Sequence, residues 1–281
     1  MAIITFRSNG IKETGNTSAA IATATFMSIK HNMKILLIST GTNEGTVKES
    51  FWTNSKKRTL NKHQTLSTIQ QNGIEGLSRI ISSGKIEPRI IRDYTKVILA
   101  GGRFDVLLGY DGEKSEYQEI QEIYPQIISV ASQYYDIVIV DLDKKLTESV
   151  KERIIQTSDI IVTTTCQKIK DMQTLNEYIN QNNVMTEANT LTAIGRYDEG
   201  LKCNIKNATR SIFKKRKNIN SIPYNRKFYE AMQEGRVIDL FLELPRIKNK
   251  NDSNYFFLQE IQRLSEDIMQ KWEEIRIKRN I

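Results

Sequence analysis

Gly10-Ile11-Lys12-Glu13-Thr14-Gly15-Asn16-Thr17-Ser18 is the stretch on which the reading of this chain turns. It follows a short β-branched run, Ile3–Phe6, and precedes an alanine-rich helical pattern over Ala19–Lys30. The spacing is that of the phosphate loop G-x-x-x-x-G-K-[ST], with Asn16 where a lysine belongs. Two glycines permit a tight turn and close approach of an anion, and the amides at the helix start form an anion cradle. Thr17 offers the hydroxyl that would meet Mg²⁺. The missing lysine would have made a charge-assisted contact worth about 1.5–3 kcal/mol, so its loss weakens phosphate binding about ten- to hundredfold. Candidate nucleotide contacts are Gly10, Lys12, Thr14, Gly15, Asn16, Thr17 and Ser18. The bland alternative is a strand–turn–helix with no ligand.

Outward from the loop, apolar runs alternate with helical patterns. Strands are expected at Ile3–Phe6, Ile35–Ile38, Phe104–Leu108, Ile137–Asp141, Ile160–Thr164 and Leu191–Ile194, with a short one ending at Ile222. Their continuous apolar character suits parallel strands covered on both faces. Helices are expected over Ala19–Lys30, Pro88–Leu99, Ile120–Ser132, Ser149–Gln156 and Met172–Asn180. The alternation predicts an α/β fold, a doubly wound, mostly parallel sheet with helices on both faces. Residues 1–250 form one such domain, with a polar excursion over about 42–72 that carries Lys56-Lys57-Arg58. In the tail, 251–281, Phe257, Ile261, Leu264, Ile268, Trp272 and Ile275 are spaced by threes and fours, an amphipathic helix. It packs back on the same domain, or is offered to a partner or a membrane.

Composition narrows the function classes. With 39% hydrophobic and 26% charged residues the chain can bury a core, which excludes a disordered segment. Two cysteines and two histidines are too few for a disulfide framework or a metal site built on them. No run approaches the roughly 20 apolar residues of a membrane span, and Met1–Arg7 lacks the pattern of a signal peptide. The expectation is a cytoplasmic protein, recruited to a membrane or cell pole only through partners.

Tyr135–Asp143 is a buried strand that ends in carboxylates, and Asp141 stands where such folds gather their ligand groups. It reads as the acid that holds Mg²⁺ through water, or as a helix cap. With these residues in place, the chain resembles the ParA/MinD family of deviant-Walker-A ATPases, within it most of all the TadZ/CpaE proteins of pilus assembly. The likeness covers about residues 1–240. It rests further on Phe104-Asp105-Val106-Leu107-Leu108-Gly109, Ser158-Asp159-Ile160-Ile161-Val162-Thr163, Arg196-Tyr197-Asp198, Ile222-Pro223-Tyr224-Asn225 and Ala231–Gly235. The resemblance implies ATP or ADP with Mg²⁺, a base site near Arg196, Pro223 and Tyr224, a metal held by Thr17 and Asp141, and a homodimer.

The departures bear on activity. The family's signature lysine falls on Ile11, with Lys12 one place on. Its Asp-x-Asp after the second strand, whose second acid orients water, is replaced by Ser39-Thr40-Gly41, and its adenine-binding asparagine falls on Gly195. Glu13 places a carboxylate inside the loop. Phosphoryl transfer depends on positioned charge, metal and a water-orienting group, so no residue is assigned a catalytic role. Three functions remain open: a poorly hydrolysing or inactive nucleotide-binding protein that positions a pilus, secretion or conjugation apparatus; an active ParA-type ATPase on non-specific DNA; and a nucleotide-free scaffold.

Charge is segregated. Thirteen Lys and Arg against four acids between Lys202 and Lys250 give that segment +9, and the rest of the chain sums to −1. Lys214-Lys215-Arg216-Lys217 is its sharpest cluster, a solvated face or a contact for DNA backbone or anionic lipid. An extended anion is expected there, away from the loop. Cys166 reads as packing, His31 and His63 have no metal partner in view, and Phe51 and Trp52 mark a contact surface or a minor core.

Overall fold

The computed structural model describes residues 1–281 except 9, 11–12, 43–44, 53–72, 85, 113, 215–217 and 280–281. Ile11, Lys12, Lys56-Lys57-Arg58, His63 and Lys215-Arg216-Lys217 thus lie outside the described residues. Eight strands form one sheet: β1 (Ala2–Ser8), β2 (Ile35–Ser39), β3 (Lys96–Leu99), β4 (Phe104–Leu107), β5 (Ile137–Asp141), β6 (Ile160–Cys166), β7 (Thr190–Tyr197) and β8 (Ile219–Pro223). Their order is β3-β4-β2-β5-β1-β6-β7-β8, and every pairing is parallel except β3 with β4. The expected doubly wound sheet is observed.

Alternate residues of the central strands feed two cores. Ile4, Phe6, Leu37, Ile137 and Ile139 face the helices Asn16–Lys30, Arg226–Glu234, Val237–Glu243 and Ser253–Arg279. Ile3, Leu36, Ile38, Val138 and Val140 face Tyr124–Ala131, Glu148–Thr157 and Ile169–Gln181. Because both faces are covered, the strands read as unbroken apolar runs. The helix Asn16–Lys30 is buried from Ala19 through Ser28. Its alanines let it lie close to β1 and under the tail helix, where a larger side chain at each turn would hold the layers apart.

The tail helix packs onto the sheet. Phe257, Ile261, Leu264 and Ile268 are fully buried, with Trp272 and Ile275 at the margin of the same core. Its charged end is tied by Arg279 to Asp159 at 2.6 Å, and Lys271 donates to the carbonyl of Glu187 at 2.6 Å. Phe51 and Trp52 join this core too, Phe51 meeting Phe104 edge-on at 5.4 Å between ring centroids.

Two expectations need correction. Pro88–Leu99 is not one helix: a single turn over Ile90–Asp93 is followed by β3, an antiparallel edge strand joined to β4 across Gly101-Gly102. β-Branched residues at the end of that span fit a strand, and pairing with β4 overrides the helical period. Ile120–Ser132 is likewise broken, by a 3-10 turn at Gln121–Ile123 before the helix Tyr124–Ala131, with Pro125 in that helix's first turn. No helix among the described residues is long and apolar enough to cross a membrane.

Asp105 on β4 is fully buried; one carboxylate oxygen accepts from the Tyr135 hydroxyl at 2.8 Å and the other has no partner. Burial pushes its pKa up, with Tyr135 and Arg92 opposing. Between the unfolded carboxyl value and this raised one the folded state holds the proton more tightly, so stability falls as pH rises through that window. Asp105→Asn removes the loss. Its stability relative to the unaltered chain should rise from pH 4 to pH 7 in denaturant titrations; an advantage that is flat or shrinks with pH contradicts the assignment.

Candidate nucleotide site at the carboxyl ends of β1 and β5

Parallel pairing sets Phe6, Asp141 and Ser39 side by side at the ends of β1, β5 and β2, and Ser8 beside Thr164 of β6. The loop leaving β1 returns to this edge through Gly15, whose left-handed backbone (φ 75°) makes it the N-cap of the helix Asn16–Lys30. The first amides of that helix have no partner within it, no acidic residue occupies its first turn, and the helix dipole favours an anion there. Thr17 and Ser18 are half-buried beside them, and their hydroxyls make no hydrogen bond among the described residues. Backbone and hydroxyl donors at this point fit a phosphate.

The side chain of Asn16 does something else. Its amide nitrogen donates to the carbonyl of Phe6 at 3.1 Å and to Oδ1 of Asp141 at 2.8 Å, and its amide oxygen accepts from Thr164 Oγ1 at 3.0 Å. Both amide protons are engaged, so the side chain that replaces the lysine has no donor left for a phosphate. Instead it ties β1, β5 and β6 to the start of the helix. Thr14 completes the tie through Thr164 Oγ1 at 3.0 Å. Asp141, exposed by only 7%, gains a partner that carries no charge.

Glu13 and Arg196 carry the positive φ angles among the described non-glycine residues, 62° and 50°. Such backbone costs about 1–3 kcal/mol per residue and collects at functional sites. Their side chains pair with each other at 3.1 Å across the loop. Both are mostly exposed, so the pair contributes at most about 1 kcal/mol and opens readily. Arg196 occupies a break in the β7–β8 register between Gly195 and Tyr197, which turns it toward the loop. A Cβ on Gly195 would lie 1.9 Å from the carbonyl oxygen of Thr14. With the loop in this position no asparagine fits there; backbone touches backbone.

Pro223 ends β8 opposite Tyr197, and Tyr224 beyond it is 61% exposed, its ring 6.4 Å from that of Tyr229. These residues lie at the same sheet edge as Arg196. After β2, Thr40 donates to the carbonyl of Asp141 at 3.0 Å and accepts from the amide of Asp143 at 2.8 Å. The Ser39-Thr40-Gly41 turn has no carboxylate of its own, but Asp143 lies against Gly41. Cys166 places its sulfur 3.6 Å from the carbonyl of Glu13, and burial raises its pKa, which keeps it a thiol. Lys214, the described member of the basic run, is exposed.

Sequence reasoning missed Thr164, the Glu13–Arg196 pair and the role of Gly195 in close packing. The run Thr163-Thr164-Thr165 carried a signal, since buried hydroxyls at a strand end must find partners. Asn16→Ala should lower stability by about 2–3 kcal/mol, because it strips a buried carboxylate and a buried hydroxyl of a partner. Denaturant unfolding measures this; a loss below about 0.5 kcal/mol, the size of an ordinary surface change, contradicts the tie.

The sequence matches no family model and no curated protein. The structure is similar to a ParA family ATPase from Chlorobium tepidum TLS (TM-score 0.68, 14% identity, 94% of this chain and 98% of that one). It is similar also to a putative plasmid partition protein from Borrelia burgdorferi B31 bound to AMPPNP (TM-score 0.59, 15% identity, 97% and 98%). The septum site-determining protein MinD from Pyrococcus horikoshii OT3, complexed with Mg-ADP, is a third (TM-score 0.61, 14% identity, 95% of each). With nearly the whole length of each chain covered, the protein has the fold of the ParA and MinD ATPases.

Proposed function

We propose that the chain binds adenine nucleotide with Mg²⁺ at the carboxyl ends of β1 and β5, turns it over slowly or not at all, and acts by position. The observation that carries this reading is the engagement of Asn16 with Asp141 and the sheet. A phosphate would rest on the amides of residues 16–18 and on the hydroxyls of Thr17 and Ser18, with no side-chain cation from position 16. Mg²⁺ would be held by Thr17 and, through water, by Asp141; when bound, the ion screens phosphate charge. Arg196, Pro223 and Tyr224 would flank the base, and the Glu13–Arg196 pair would have to open. The nucleotides in the Borrelia and Pyrococcus proteins favour such a site in this fold.

The role follows from weak chemistry. A chain that holds nucleotide without efficient hydrolysis is suited to work as a dimeric scaffold, and the resemblance to pilus-assembly proteins favours a pilus, secretion or conjugation apparatus as its partner. Titration calorimetry should give saturable binding of Mg-ATP. Asn16→Lys should tighten it about tenfold or more, the value of a restored charge-assisted contact. No heat with either Mg-ATP or Mg-ADP would leave a nucleotide-free scaffold. Multiple-turnover hydrolysis lost in Asp141→Ala, with salt-sensitive DNA binding lost when Lys214–Lys217 are neutralised, would instead favour an active ParA-type ATPase.

A further inference from the structure

Arg7 is the penultimate residue of β1 and is only 7% exposed. A buried cation usually has a carboxylate partner, yet Arg7 has none among the described residues. Among the described residues the one hydrogen bond of its guanidinium runs from Nη1 to the Tyr178 hydroxyl oxygen at 2.7 Å, and the guanidinium carbon lies 4.6 Å from the centre of the same ring. A guanidinium has five N–H donors in a planar fork, so most of this fork is unused. The unused nitrogens are not among the fully enclosed atoms without a partner. Arg7 and Tyr178 together line a cleft of about 180 Å³.

Tyr178 adds an independent observation. Its hydroxyl oxygen accepts from Arg7 and, at 3.4 Å, from Asn182 Nδ2. With two donors pointed at that oxygen, the hydroxyl proton must be directed elsewhere, and no acceptor for it is found among the described residues. Ser8 also borders the cleft. Across the cleft Lys151, with a side chain only 13% exposed, donates two of its three protons to the carbonyl of Lys144 and to Glu148. Asp143 accepts from the amide of Lys145. Arg7, Lys144 and Lys151 outnumber Asp143 and Glu148 in the lining by one charge, and the wall near Arg7 carries donors with no acceptor among the described residues.

We propose that this cleft, on the face of β1 opposite the helix Asn16–Lys30, is a site for a phosphate-type oxyanion, with the Arg7 fork as its anchor and the Tyr178 hydroxyl as a second donor. Two parallel N–H bonds from a guanidinium match two oxygens of a phosphate or carboxylate. Gly10, at the first turn of the loop, also borders the cleft. The site therefore adjoins the helix-start cradle without sharing its donors. Free phosphate and the terminal phosphoryl of a nucleotide seated in the cradle offer the same chemistry.

The test follows the Arg7 Nε–H resonance of the ¹⁵N-labelled protein, identified by its loss in Arg7→Lys. Inorganic phosphate and Mg-ATP are titrated separately, with sodium chloride at matched ionic strength as control. A saturable shift with phosphate alone assigns free phosphate; a shift with Mg-ATP alone assigns the nucleotide's phosphoryl. Calorimetry with the titrant that moves the signal should then show that Arg7→Met weakens binding on the order of tenfold or more and that Tyr178→Phe weakens it less. Thr17→Ala would weaken the cradle while the Arg7 signal still shifts with phosphate, so failure of the two sites is told apart. No shift of the Arg7 signal with either titrant, or a shift that chloride reproduces, overturns the proposal.

Discussion

One amide group organises this end of the molecule. Asn16 spans the carbonyl of Phe6, the carboxylate of Asp141 and the hydroxyl of Thr164, residues 10, 125 and 148 positions away in sequence. An asparagine carries two donors and an acceptor on a short, stiff stem, which suits it to close such a junction. A lysine has three donors, no acceptor and a long stem, and it points its charge outward from the sheet. Replacing one by the other converts a group that would meet phosphate into a group that fixes the strand ends. The loop gains a rigid base, and position 16 loses its cation.

The rest of the site follows from that exchange. With the base of the loop pinned, Thr14 lies against Thr164 and its carbonyl against Gly195, so the loop sits low on β7. The strain at Glu13 and Arg196 is confined to this contact, where an exposed ion pair bridges it at little cost. Backbone donors remain for an anion at the helix start. Positive charge enters from a different quarter, through Arg7 on the opposite face of β1.

The sheet was largely legible because its strands are apolar on both faces and are separated by clear helical periods. β3 was not, since an exposed edge strand of four residues next to one helical turn has no period of its own. The glycine spacing of the loop and Asp141 at a strand end could be read directly. What Asn16 does could not, because all its partners are brought by parallel pairing of distant strands. Arg7 also escaped notice. Nothing in its sequence setting marks it, and only its burial against Tyr178 gives it meaning.

The most direct measurement is the side-chain amide signal of Asn16 during titration with Mg-ATP. The account predicts that this pair of proton resonances is protected from solvent exchange and stays in place, while the backbone amides of Asn16, Thr17 and Ser18 shift as the phosphates settle on them. Movement of the side-chain signal with loss of its protection, as Asn16 leaves Asp141 for the nucleotide, would contradict it.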